Sequence, residues 1–125
     1  MYLLDSDYII YFLQGKKEFV SVVKNLPGTL YISVVSVGEI MEGLQGERHK
    51  KKLEVFKIFL KTVTVLSVDQ NIAFKFATVR RDLRVTGKLI GDLDSLIAAT
   101  CLINNLTLVT NNKKHFSRIK TLKVL

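Results

Sequence analysis

Cysteine and proline are almost absent from this sequence, which has 125 residues and only one of each, Cys101 and Pro27. A lone cysteine excludes an intramolecular disulfide framework, and its position within the apolar stretch SLIAATCLI predicts a core residue in a reducing cytoplasm. A single proline, seven glycines and the absence of any low-complexity tract exclude a disordered or linker-rich chain.

A long apolar run is missing as well. The first apolar segment stops at Asp5, so the sequence predicts neither a signal peptide nor a membrane-spanning segment. With 48% hydrophobic residues and no internal repeat, the chain is expected to fold as one domain over residues 1–125.

Acidic residues are scarce too, with 11 Asp and Glu against 19 Lys and Arg, which gives a formal charge of +8. This excess of positive charge favours a polyanionic partner such as nucleic acid. The candidate contacts are the runs RHKKK at 48–52 and RRDLR at 80–84, together with Lys88, Lys113, Lys114, Arg118 and Lys120. The few acids are not scattered, because six of them form the pairs Asp5/Asp7, Glu39/Glu42 and Asp92/Asp94.

Four short β-rich segments alternate with stretches whose apolar residues have helical spacing. The predicted strands are YLL at 2–4, TLYIS at 29–33, VTVLSV at 63–68 and LTLVT at 106–110, with LKVL at 122–125 as a candidate fifth. Strands that alternate with helices pair in parallel through right-handed crossovers, so the pattern predicts an α/β fold.

Three acids fall where such a fold carries its functional groups, just beyond the carboxyl ends of the strands. Asp5 follows the first strand, Glu39 is expected in the first turn of the helix after TLYIS, and Asp94 is expected to start the helix before LTLVT. Each has an ordinary alternative. Ser36 and Glu39 have the spacing of a capping box, and Asp94 or Asp92 has the position of an N-cap.

A capping role for the residues next to Asp5 would not account for Asp5 itself. A carboxylate directly after a buried strand must be solvated, paired or bound to a cation. Converging carboxylates would repel one another and raise the pKa of some of them unless a cation were present. With no His or Cys nearby in the sequence, an all-oxygen donor set suits Mg²⁺ or Mn²⁺. The chemistry that this hypothesis predicts is metal-assisted phosphoryl transfer.

Four segments, taken in order, resemble the signature segments of PIN-domain ribonucleases and, more narrowly, the VapC-type toxins of type II toxin–antitoxin systems. They are LLDSDYII, ISVVSVGEIMEGL, GDLDSLIAA and LTLVTNNKKHFSRI. The resemblance implies a three-layer α/β/α fold around a central parallel sheet of four to five strands. It also implies an endoribonuclease that depends on Mg²⁺ or Mn²⁺ and cleaves single-stranded or loop regions of an RNA such as tRNA or rRNA. A homodimer and a cognate antitoxin protein are the partners it implies.

By position, Asp5, Glu39 and Asp94 match the three metal-binding acids of that family. The fourth position, often an aspartate in the family, is Asn112, which we expect to orient a metal-bound water with support from Thr110. Asp7 and Asp92 are the acids that can supply the missing charge. His115 stands where relatives often carry an acid, and the sequence gives it no role.

Two other hypotheses stay open on the sequence alone. The D-x-D spacing of Asp5 and Asp7 after a strand is also found in haloacid-dehalogenase-type phosphatases, with Asp5 as nucleophile, although Thr110 follows the GDLD segment when it should precede it. A non-catalytic RNA-binding module, whose acids are caps and surface charges, is the other.

Overall fold

A four-stranded parallel sheet with the strand order β3-β2-β1-β4 forms the centre of the computed structural model, which describes residues 1–125. The strands are β1 (Tyr2–Leu4), β2 (Leu30–Ser33), β3 (Thr64–Leu66) and β4 (Thr107–Val109). The helices are α1 (Ser6–Leu13), α2 (Lys17–Asn25), α3 (Val34–Gly43), α4 (Lys50–Leu60), α5 (Gln70–Val85), α6 (Asp92–Asn104) and α7 (Lys113–Phe116), with a 3-10 turn at Glu47–His49.

Alternation along the strands divides the core into two layers, because successive side chains point to opposite faces of a sheet. Leu3 and Leu108 pack on one face against residues of α5, α6 and α7. Leu4 and Val109 pack on the other face against residues of α1 to α4. Helices therefore cover both faces, and the predicted three-layer α/β/α fold with a parallel sheet is confirmed.

The four predicted strands all form, and β1 lies between β2 and β4, with Leu3 opposite both Tyr31 and Leu108. The candidate fifth strand at 122–125 is reduced to a single parallel bridge between Leu108 and Val124. The C-terminal segment contributes only two backbone hydrogen bonds at this edge, from Leu108 to Lys123 and from Leu125 to Leu108.

Helix starts differ from the capping pattern that the sequence suggested. Ser33 is the N-cap of α3, since its Oγ accepts a hydrogen bond from the Val35 amide at 3.1 Å, and the Ser36–Glu39 capping box is absent. Glu39 consequently lies in the second turn of α3 and not in the first. The reason is that β2 runs directly into α3, so the last strand residue is already extended and placed to cap.

The start of α6 also differs from the prediction. Gly91 is its N-cap, without a side-chain cap, so neither Asp92 nor Asp94 serves as one; both lie in the first turn. Asp5, by contrast, is itself the N-cap of α1. The carboxylates of Glu39 and Asp94 are therefore not used to cap their helices.

Cys101 lies fully buried in the core, as the sequence predicted. Burial, with a smaller contribution from the charge of Asp5, raises the pKa of its thiol to about 12. The side chain thus stays a neutral thiol that packs like a small apolar group. None of the helices combines the length and apolarity that crossing a bilayer requires.

Candidate active site

Asp5 is the only charged residue among the buried residues of the protein, with 5% of its surface exposed. Its backbone amide donates to the Val109 carbonyl, which ties the end of β1 to the end of β4. Its Oδ1 accepts from the Ser6 amide at 2.8 Å, and its Oδ2 accepts from Thr110 Oγ1 at 2.7 Å. Burial raises the pKa of Asp5 to about 7. The hydrogen bond from Thr110 lowers this pKa, and the negative charges of Asp7 and Asp94 raise it.

A serine that the sequence reasoning did not single out connects the first acid to the second. Ser6 Oγ donates to Glu39 Oε1 at 2.7 Å, which joins the first turn of α1 to the second turn of α3. The signal was present in the D-S-D arrangement of residues 5–7, where a first-turn serine stands between two acids. Glu39 is half-buried, and its carboxylate is bonded to Ser6 and not to the N-terminus of α3.

Asp94 and Asp7 belong to the same acidic pocket. Burial raises the pKa of Asp94, and the charges of Glu39 and Asp7 raise it further, whereas His115 lowers it. Burial likewise raises the pKa of Asp7, partly offset by the backbone amides of Asn111 and Tyr8. The acids that affect one another in this way lie at the starts of α1 and α6 and in α3, at the carboxyl edge of the sheet.

Asp92 lies outside this pocket. Its side chain is 73% exposed and forms an ion pair with Arg80 at 2.9 Å. Arg80 also donates to the Ile90 carbonyl, and Arg118 donates to the Leu89 carbonyl at 3.0 Å, so two arginines hold the loop before α6. Of the predicted basic contacts, Arg80 and Arg118 therefore form bonds within the protein.

Asn112 and His115 stand at the edge of the pocket. The Asn112 backbone amide donates to Thr110 Oγ1 at 3.0 Å, and its side-chain nitrogen Nδ2 lies 2.9 Å from His115 Nδ1. The amide nitrogen on which the predicted water-orienting role partly depended is thus bound to the imidazole. His115, to which the sequence reasoning gave no role, is close enough to Asp94 to lower its pKa.

The pocket fits a hard divalent cation in the chemistry of its donors. All its candidate ligands are oxygens, and Asp7 Oδ1 is buried without any hydrogen-bond partner. In their present positions, no three acidic, histidine or cysteine side chains of the protein are arranged to hold a metal ion together. The side chains would have to draw closer to share one ion.

An apolar cleft of about 390 Å³ begins beside Glu39 and runs between α1, α3 and α4. Its walls include Ile10, Leu44, Val55 and Phe56, and Lys51 and Lys52 from the RHKKK run lie along it. The cleft thus joins an apolar surface and two cations to one of the pocket's carboxylates. We refer to it as the α1–α3–α4 cleft.

Comparison with known proteins places this arrangement in a family. The PIN domain family matches residues 2–122. Ribonuclease VapC2 of Haemophilus influenzae is 31% identical over 98% of this chain and 94% of its own length. The tRNA(fMet)-specific endonuclease VapC of Shigella flexneri is 28% identical over 98% of this chain and 94% of that protein.

The fold agrees with the sequence match. The crystal structure of VapBC2 from Rickettsia felis, bound to a DNA fragment from their promoter, contains a chain that superposes with a TM-score of 0.91. That chain is 26% identical, and the alignment covers 99% of this chain and 96% of the other. The family match extends over nearly the whole chain, and the parallel sheet and the acids at the strand ends agree with it. The chain therefore belongs to the PIN-domain family and, within it, to the VapC ribonuclease toxins of toxin–antitoxin systems.

Proposed function

We propose that this chain is a metal-dependent endoribonuclease, one nuclease domain over residues 1–125, that cleaves single-stranded or loop regions of RNA. The observation that carries the proposal is the acidic pocket formed by Asp5, Asp7, Glu39 and Asp94 in a chain with a formal charge of +8. A pocket of one buried and three half-buried carboxylates in a basic protein suits a cation that bridges to a phosphodiester. Family membership removes the support for the phosphatase hypothesis.

Asp5, Glu39 and Asp94 are the residues that would hold Mg²⁺ or Mn²⁺. When bound, such an ion supplies an acidified water and stabilises negative charge on the phosphate. The fourth position of the family pattern carries Asn112 here and therefore lacks a negative charge. Asp7, whose Oδ1 has no hydrogen-bond partner, would supply that charge. Asp92 is excluded from this role by its exposure and its pairing with Arg80.

The neighbouring hydroxyls are positioning groups. Thr110 and the Ser6 amide fix the two oxygens of Asp5, and the Ser6 hydroxyl fixes Glu39 Oε1, so the orientation of both carboxylates is set by the protein. Because both donors come from adjacent sheet-edge turns, the carboxylates stay oriented without help from water. The Oδ1 of Asn112 is the oxygen that remains to accept a hydrogen bond from a nucleophilic water.

The decisive experiment compares Asp5→Asn with Asp82→Asn, which removes the same charge from an exposed site on α5. Both variants and the wild type are incubated with a panel of tRNAs and structured RNAs, in Mn²⁺ or in chelator. We expect discrete, metal-dependent cuts from the wild type and Asp82→Asn, and none from Asp5→Asn. The tRNA specificity of the Shigella relative makes initiator tRNA the first substrate to test.

Equal cleavage by Asp5→Asn would contradict the assignment of the pocket. RNA binding that is unchanged in chelator, with no cleavage by any variant when metal is supplied, would instead establish the RNA-binding module. The two outcomes are distinguished by measuring binding and cleavage on the same RNA.

A cognate antitoxin is the expected regulatory partner, and we propose that one of its segments occupies the α1–α3–α4 cleft. The apolar walls suit an amphipathic segment, Lys51 and Lys52 suit acidic residues flanking it, and Glu39 suits a basic residue at its end. Such a segment would cover the acidic pocket from one side.

Two exposed apolar residues of α4 test this surface. Val55 lines the cleft and is 47% exposed, whereas Ile58 does not line it and is 63% exposed. We expect Val55→Asp, but not Ile58→Asp, to weaken copurification with the coexpressed antitoxin. If both variants retain the antitoxin equally well, the antitoxin binds another surface. We also expect a homodimer, which light scattering of the purified toxin measures.

A further inference from the structure

His115 and Asn112 form a hydrogen-bonded pair whose chemistry fixes the state of the imidazole. The side-chain nitrogen of Asn112 has protons to donate and no lone pair to accept one. Its partner, His115 Nδ1 at 2.9 Å, must therefore be the acceptor. The neutral imidazole then carries its proton on Nε2, and the ring presents an N–H donor on the side opposite Asn112.

The pair is mechanically connected to the acidic pocket. Thr110 Oγ1 donates to Asp5 Oδ2 and accepts from the Asn112 backbone amide, so the chain of contacts runs from Asp5 through Thr110 and Asn112 to His115. The helix that carries His115 is anchored from below, because Phe116 in α7 is fully buried. His115 is thus an exposed side chain on a rigid support.

His115 lies at the rim of the acidic pocket, because its hydrogen-bond partner Asn112 is linked through Thr110 to Asp5. The charged groups of the pocket are carboxylates, which repel a phosphate. A neutral N–H donor at the rim can bind a phosphate oxygen without adding a positive charge that would compete with a cation for the carboxylates. No intramolecular hydrogen bond of Nε2 is present to occupy this donor.

We propose that His115 is a catalytic residue of this ribonuclease, whose Nε2–H donates a hydrogen bond to a non-bridging oxygen of the scissile phosphate, and that Asn112 is the residue that positions it. The inference rests on the proposed ribonuclease function and adds a substrate contact to it. It gives this chain a neutral donor at the rim of its carboxylate pocket.

Two substitutions of His115 distinguish the roles of its two ring nitrogens. His115→Gln places an amide nitrogen near the position of Nε2 and retains a donor there, whereas His115→Asn retains a polar partner for Asn112 and loses the distal donor. Single-turnover cleavage of an RNA that the wild type cuts is expected to fall about 10- to 100-fold in His115→Asn and less than about 5-fold in His115→Gln. Ser117→Ala is the matched control, since it removes a hydrogen bond to the Lys114 carbonyl within α7 without touching the pocket.

The positioning role of Asn112 is tested by a double-mutant cycle. The combined loss in the double variant should be smaller than the product of the losses in Asn112→Ala and His115→Asn, because part of the effect of Asn112→Ala acts through the ring. In the wild type, nitrogen NMR of the imidazole should show the proton on Nε2, and Asn112→Ala should raise the fraction of the ring that carries it on Nδ1.

Three outcomes overturn the inference. They are a His115→Asn enzyme as fast as the wild type, equal losses in His115→Asn and His115→Gln, or a Ser117→Ala enzyme impaired as strongly as His115→Asn. Asp5→Asn is assayed in parallel. If Asp5→Asn cleaves normally, the proposed function fails on its own account; if it is inactive while His115→Asn is normal, only the role of His115 fails. A wild type that cuts no RNA refutes both.

Discussion

Replacing Asp5 by Asn should make the metal-free protein more stable at neutral pH and leave it unchanged in acid. In the folded protein, burial raises the pKa of Asp5 from 3.8 to about 7. The native state therefore binds this proton more tightly than the unfolded state does. The stability of the wild type must fall as the pH rises from about 4 to about 7, and it must level off above that range.

The magnitude follows from the size of the shift. Each pKa unit corresponds to ~1.4 kcal/mol, so a shift of about three units sets an upper limit of ~4 kcal/mol on the penalty at neutral pH. In both Asn and protonated Asp, one oxygen can still accept from the Ser6 amide while the other position becomes a donor that the Thr110 hydroxyl must accept from, which makes Asn a fair copy of the acid form. Allowing for relaxation around the charge, we expect Asp5→Asn to gain ~2–4 kcal/mol at pH 8 and about zero at pH 4.

The assay is urea unfolding in chelator at several pH values between 4 and 8, on the wild type, Asp5→Asn and Asp82→Asn. The difference between the wild type and Asp5→Asn should grow with pH, whereas Asp82→Asn, an exposed acid, should track the wild type. Millimolar Mg²⁺ should stabilise the wild type and not Asp5→Asn. A difference that is the same at pH 4 and pH 8 would refute the reasoning, because it would show that the buried carboxylate carries no ionisation penalty.

Three further changes test the supports of the site. Phe116→Ala should cost ~3–5 kcal/mol in urea unfolding, because this fully buried ring anchors α7. Ser6→Ala should raise the Mn²⁺ concentration that gives half-maximal cleavage, while the melting temperature changes by only a few degrees, since it frees Glu39 from its 2.7 Å hydrogen bond. Arg80→Met should speed hydrogen exchange at the start of α6, because it removes the contacts to Asp92 and Ile90; unchanged exchange there would mean that Arg118 alone holds the loop.

Local pattern was sufficient for the strands and for the edge at which the acids gather. Short β-branched segments such as LYIS and LTLVT, separated by helical stretches, leave few alternatives to a parallel sheet with crossovers. The carboxyl edge of that sheet follows from the topology, so the sequence predicts that Asp5, Glu39 and Asp94 gather there. The alternative capping roles of Ser36 and Asp94 are not realised, because α3 and α6 begin earlier, at Ser33 and Gly91, and only the end of the preceding segment decides where a helix begins.

The sequence by itself determined the order of the elements, the charge of the surface and the identity of the candidate metal-binding acids, because each depends on residue type and spacing along the chain. The tertiary structure decided which neighbours those acids have. Ser6 is hydrogen-bonded to Glu39, and Asp92 is paired with Arg80. Asp7 Oδ1 has no hydrogen-bond partner, and His115 is hydrogen-bonded to Asn112. Contacts of this kind depend on distances of a few Å between elements remote in sequence, and no local pattern encodes them.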